Sequence, residues 1–136
     1  DYPEGATLFP GFSSVFETFQ ERGIVQAVVS AKTKKQYALD FVTKDLDKYM
    51  TCAILAEDTL EHKPHPEPLL ACIEKLQLKP EEVIYVGDSS SDFLASQSAH
   101  IDFAYAKWGS VSEKGIDQPQ FVFASPKELL NLLEVN

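Results

Sequence analysis

A three-layer α/β domain on a Rossmann-like parallel sheet is the fold this sequence predicts, and three observations predict it. Short β-rich runs alternate with longer segments of helical periodicity along the chain, as in βαβ units whose sheet is covered on both faces. One run, VIYV at 83–86, empties into Gly-Asp and three serines before a second Asp opens a helix-like stretch. A strand that delivers a carboxylate in this way marks the carboxyl edge of a parallel sheet, where open α/β folds bind ligands. Finally, 136 residues with 44% hydrophobic and 24% charged side chains are ordinary globular composition, and they suffice for one domain, 1–136, with its own core.

The elements follow in order. Phe12–Arg22 carries Val15, Phe16 and Phe19 on one helical face and stops at Gly23, a C-terminal signal. Ile24–Ser30 is the first strand. Lys34–Phe41 is helical with a mediocre apolar face. Cys52–Ala56 is the second strand. Pro66–Leu76 is a strong helix, repeating Leu69, Leu70, Ile73 and Leu76, with prolines suited to its first turn. Val83–Val86 is the third strand and Asp92–Ala99 the helix after it. Phe103–Ala106 and Phe121–Phe123 are short strands of the same sheet. Ser125 and Glu128 form a capping box that opens a last helix, Pro126–Glu134.

Composition bounds the function classes. A net charge of −9 argues against a nucleic-acid or anionic-membrane surface. No apolar run approaches the ~20 residues needed to span a bilayer. Cys52 and Cys72 lie in apolar segments without a CxxC pattern and read as buried thiols of a reducing compartment. The expectation is a soluble, cytoplasmic protein with neither nucleic-acid nor membrane partners.

Three polar residues fall at or near the carboxyl ends of the predicted strands: Ser30 in VVSAKT, Lys63 in HKPHPEP and Asp88 in VGDSSSD. A hydroxyl donor, a cation and a carboxylate suited to a hard cation are what a phosphate-plus-Mg²⁺ site requires. Each has a plainer reading. Ser30 could cap the following helix, Lys63 could be a solvated charge, and Asp88 with its serines could be a turn capping the next helix. His62 and His65 supply no third ligand for zinc.

Order and spacing together tip the balance. Lys63 in KPHP precedes Asp88 in VGDSSSD by about 25 residues, and LFPGFSSVFETFQERGIVQAVVSAKT, AYAKWG and ASPKELLNLL flank these blocks. On these residues the chain resembles the haloacid dehalogenase-like hydrolase superfamily, in its phosphoglycolate phosphatase-like branch, nearly end to end. The resemblance implies a phosphate-binding hydroxyl at Ser30 and a lysine at Lys63 that neutralises the phosphoryl group and an aspartyl intermediate. It implies a Mg²⁺ ligand at Asp88 and a supporting carboxylate at Asp92. Lys63 and Asp92 are thus the expected catalytic residues, Ser30 and Lys63 the phosphate-binding ones, and Asp88 the metal ligand. Trp108-Gly109 resembles a family signature of structural character.

The resemblance also has a gap. The family's nucleophilic Asp stands in a DxDGT-type motif on a first strand, and no such string occurs here. None of Asp1, Asp40, Asp45 or Asp47 has a comparable context. DYPEGATLFPG resembles the return linker from the family's cap domain, so the first strand and the cap are expected to be missing, and the Asp1 start points to a truncated chain. What this implies is the core of a Mg²⁺-dependent phosphomonoester hydrolase acting on a small phosphorylated metabolite through a phospho-aspartate. Alone it should be inactive and bind Mg²⁺ weakly or not at all. The alternative is a degenerate, non-catalytic module that binds phosphate, metal or a protein. In the family the missing strand is central, between the strands ending at Ser30 and Asp88. A second chain or an N-terminal piece is therefore expected to complete the sheet, in preference to direct pairing of those two strands. Finally, the helix after Asp92 ends at Ala99-His100 where the family usually has Gly, which predicts local strain or a rebuilt turn.

Overall fold

The computed structural model describes residues 12–42, 45–110 and 112–134. The linker-like stretch at 1–11 lies outside them, as does the side chain of Asp40.

Every observed strand pair is parallel. β1 (Ala27–Val29) pairs with β2 (Cys52–Ile54), Ala27 opposite Cys52 and Val29 opposite Ile54. β3 (Ile84–Gly87), β4 (Asp102–Ala106) and β5 (Phe121–Phe123) form a second run, with Gly87 opposite Tyr105 and Ala104 opposite Phe121. The strand at β4 is buried on both faces, and its alternation sorts the layers. Phe103 and Tyr105 pack with Phe93 on one side, while Ala104 packs with Val15, Phe19, Phe123 and Leu129 on the other. The first side is covered by α3 (Glu67–Leu76) and α4 (Ser90–Ala99), whose Leu69, Ile73, Ala95 and Ala99 form a continuous core with Ile101. The second side is covered by α1 (Phe12–Glu21) and the C-terminal segment Pro126–Glu134. This is the expected three-layer α/β arrangement.

Local signals explain several ends. Gly23, at φ 77°, closes α1 with the Ile24 N–H on the Phe19 carbonyl at 2.9 Å. Thr33 caps α2 (Lys34–Tyr37) through a capping box with Gln36. His100 ends α4 in the left-handed region, φ 62° and ψ 37°, its N–H reaching the carbonyls of Ser96 and Gln97. The turn is therefore not rebuilt; His100 adopts the conformation that glycine would take freely.

Other expectations need correction. The first strand is shorter than Ile24–Ser30, because Ile24 and Val25 lie outside the ladder and are about half exposed. Lys34–Phe41 is helical as expected, as one α-turn followed by a π-helical turn, Ala38–Val42. In α3, Leu70 is 42% exposed and Cys72 takes its place in the core. Pro126–Glu134 is helical over the expected span, as a 3₁₀ helix. Residues three apart eclipse in that geometry, and Pro126 and Leu129 are buried with Leu132 partly so. Glu128 accepts from the Ala124 N–H at 2.9 Å, one residue before the expected Ser125.

The two runs of strands do not join. Among the described residues no backbone hydrogen bond links β1 to β3. The strands thus form two separate parallel sheets, and Ile84 and Val86 on β3 are each more than a third exposed. The strands have not closed up.

Candidate functional site

The site is built around the turn from β3 into α4. Ser89, in extended backbone, caps α4 by accepting the Asp92 N–H at 3.2 Å. Asp92, in the first helical turn, folds back so that its Oδ2 accepts the Asp88 N–H at 3.1 Å. That approach demands a glycine: a Cβ on Gly87 would stand 2.6 Å from the Asp92 Cβ. A second glycine shapes the other carboxylate. A Cβ on Gly109, in the 3₁₀ turn Lys107–Gly109 after β4, would stand 2.5 Å from Asp88 Oδ2. Trp108 packs against the α1 core, and Gly109 of the Trp-Gly pair borders the Asp88 carboxylate.

Lys63 enters from the loop before α3, where its bond to Pro64 is cis. Its ammonium donates to Asp92 Oδ1 at 2.6 Å, to the Tyr85 hydroxyl at 2.8 Å and to the Val29 carbonyl at 3.5 Å. Both members of the ion pair are nearly enclosed, with Lys63 14% and Asp92 10% exposed. The solvated-charge reading of Lys63 therefore fails. Its neighbour His65 accepts the Glu67 N–H through Nδ1.

Ser30 follows β1 and continues its ladder, donating its N–H to the Ile54 carbonyl at 2.9 Å. Its Oγ accepts the Lys32 N–H at 3.1 Å. Capping of α2 falls to Thr33, so the N-cap alternative for Ser30 does not apply. Ser30 shares a recess with Lys63, Leu55 and Thr59. Ser30 and Lys63 thus line one recess, and Lys63 touches Asp92, which in turn accepts the Asp88 N–H.

The electrostatics follow from this crowding. Burial, the largest influence on Asp92, pushes its carboxyl up. The Lys63 charge and hydrogen bonds from Lys63, the Asp88 N–H and Ser89 together outweigh it and hold Asp92 below the ordinary carboxylate range. Asp88 moves the other way: burial and the Asp92 charge raise it, with Lys63 opposing. The cluster holds two carboxylates against one lysine, and the under-neutralised member is Asp88. That donor set is hard and suits Mg²⁺, which is commonly held by one or two carboxylates plus water and phosphate oxygens. Among the described residues no three His, Cys, Asp or Glu side chains cluster as a metal-ligand set.

Sequence reasoning missed Tyr85. Strand alternation was the available signal, since Tyr85 and Gly87 share a face and Asp92 packs against Gly87. The Tyr85 hydroxyl also lies 3.1 Å from both Asp92 Oδ1 and the Val29 carbonyl.

Comparison with known proteins settles the family. A family model described as haloacid dehalogenase-like hydrolase matches residues 3–106. The chain belongs to that family. Among its curated relatives, phosphoglycolate phosphatase of Escherichia coli K12 is 30% identical over 96% of this chain and 52% of its own length. Pyrophosphatase PpaX of Anoxybacillus flavithermus is 30% identical over 94% of this chain and 62% of its own. The fold agrees with solved members. A Lactobacillus plantarum protein superposes with a TM-score of 0.86 at 29% identity, over 93% of this chain and 60% of that one. A hydrolase of the superfamily from Ehrlichia chaffeensis gives 0.80 at 25% identity, over 96% and 60%. The chain therefore spans about half to three fifths of the length of these family members.

Proposed function

We propose that this chain is the phosphate- and metal-binding core of a Mg²⁺-dependent phosphomonoester hydrolase that works through a phospho-aspartate. Its substrate class is small phosphorylated metabolites. The observation that carries the reading is the buried Lys63–Asp92 pair beside Ser30, at the carboxyl ends of parallel strands. Ser30 Oγ already accepts a backbone N–H, which leaves its own proton to donate to a phosphoryl oxygen. Lys63 places a fixed positive charge next to it, and Asp92 holds that lysine in orientation. Mg²⁺, when bound, would be held by Asp88 with Asp92 behind it and would offset charge on the phosphoryl oxygens.

The covalent step needs a carboxylate nucleophile that attacks phosphorus as the bond to the alcohol oxygen breaks; water then cleaves the acyl phosphate. No residue of this sequence stands in the family's nucleophile motif, so the chain alone does not turn over in this reading. The open edges of β1 and β3 suggest where the missing group belongs. Adjacent strands lie ~4.8 Å apart, and one strand between β1 and β3 would satisfy both edges and end beside Lys63. We propose that a second chain or an N-terminal piece supplies it. A non-catalytic phosphate-, metal- or protein-binding module is the second reading, favoured by the same lack of a nucleophile motif.

Hydrolysis of p-nitrophenyl phosphate by residues 1–136 tests the proposal. No turnover above background is expected at any Mg²⁺ concentration, whereas a full-length active protein should lose most activity on Lys63→Ala or Asp88→Asn. Robust turnover by residues 1–136, removed by changing some other acidic residue, would overturn it. A full-length protein that binds phosphate without any turnover would favour the module.

A further inference from the structure

An ammonium group has three protons, and the protein engages all three on Lys63. The acceptors are Asp92 Oδ1 at 2.6 Å, the Tyr85 hydroxyl at 2.8 Å and the Val29 carbonyl at 3.5 Å. The first two are short and the third is at the limit of a hydrogen bond. An incoming anion can therefore compete only for the proton aimed at Val29, on the β1 side where Ser30 follows. The direction of that proton is fixed by the other two contacts. Asp92 alone would leave the ammonium free to turn about a single bond; Asp92 and Tyr85 together do not.

We propose that Tyr85 is a positioning residue for Lys63: its hydroxyl locks the ammonium so that one proton faces the recess beside Ser30. Three further observations support this. The hydroxyl receives from Lys63 and so has its own proton for Asp92 Oδ1 or the Val29 carbonyl, each 3.1 Å away. It thereby ties β3, α4, the Lys63 loop and the end of β1 across the break between the two runs of strands. The ring is seated against Phe103, centroids 6.3 Å apart, with the Lys63 ammonium 5.4 Å from its own centroid, so the hydroxyl cannot swing away without disturbing the core. Burial, then the Asp92 charge, raises the Tyr85 phenol well above its ordinary range, so the hydroxyl stays protonated at alkaline pH. The proposal rests on the anion-site reading only for what the locked proton is used for.

The test uses the full chain labelled with ¹⁵N-lysine. The Lys63 ammonium resonance, identified by its absence in Lys63→Arg, should be resolved from the exposed lysines and protected from solvent exchange. In Tyr85→Phe that protection should be lost, while Tyr105→Phe, which removes a different, partly buried hydroxyl contact at Ser110, should leave it intact. Affinity for inorganic phosphate should fall about three- to tenfold in Tyr85→Phe, the range expected for losing one oriented hydrogen bond. A Lys63 resonance that exchanges as fast as exposed lysines in the unmodified chain would overturn the proposal, even if the variant failed to fold. So would a protected resonance unchanged by Tyr85→Phe. If the unmodified chain binds no phosphate, the anion-site reading fails, and the exchange measurement still decides the role of Tyr85.

Discussion

Replacing Lys63 by Met keeps most of the side-chain stem and removes the charge from beneath Asp92. The carboxylate left behind is only 10% exposed. It keeps the Asp88 N–H and the Tyr85 hydroxyl, and it sits in the first turn of α4, where the helix dipole favours an anion. Removing one partner of a buried pair costs about 3–5 kcal/mol; the remaining donors put this case at the lower end, about 3 kcal/mol. Against a net stability of ~5–15 kcal/mol the loss is large but measurable. Its pH dependence is the sharper signature. Asp92 is held below its unfolded range in the native protein, so the pair's contribution is present above an unfolded pKa of ~3.9 and is lost as pH falls through the lower folded value. In Lys63→Met, burial acts without the lysine's charge, and the folded carboxyl moves above its unfolded value. The penalty is then full at pH 7 and shrinks as pH approaches 4. Urea unfolding followed by circular dichroism should give a loss of about 3 kcal/mol at pH 7 and about 1 kcal/mol or less at pH 4. Equal losses at both pH values would refute the claim that charge, and not packing, is what Lys63 supplies.

Other variants probe the rest of the account. Gly109→Ala drives a methyl toward Asp88 Oδ2 and should weaken Mg²⁺ binding by a full-length active protein, read by calorimetry, at a stability cost of about 1–3 kcal/mol. Gly87→Ala meets the less yielding Asp92 Cβ and should cost at least as much in thermal unfolding. His100→Gly relieves a left-handed non-glycine residue and should stabilise the chain by up to about 1 kcal/mol in urea titrations.

The layer order was legible because it rests on periodicity: the alternation of β-rich runs with helical segments, and the helical spacing in α1 and α3, survive any choice of partner. Strand limits were less legible, since Ile24 and Val25 have strand propensity but no strand partner among the described residues. Propensity also could not separate a 3₁₀ from an α-helix at Pro126–Glu134, where residues three apart suit both. Ser30, Lys63, Asp88 and Asp92 stood out through motif spacing, and the structure links them through the shared recess and direct contacts. Tyr85 and Gly109 did not stand out. Their importance comes from contacts with residues distant in sequence, Lys63 and Val29 for one and Asp88 for the other. The break between β1 and β3 is likewise a property of pairing, which no single strand records.

Calorimetric titration of inorganic phosphate into residues 1–136, with and without Mg²⁺, tests the central claim most directly. The account predicts weak binding that Lys63→Ala and Ser30→Ala each reduce, and that Mg²⁺ strengthens only while Asp88 is intact. Binding of the same strength in Lys63→Ala, or a Mg²⁺ effect that persists in Asp88→Asn, would contradict it.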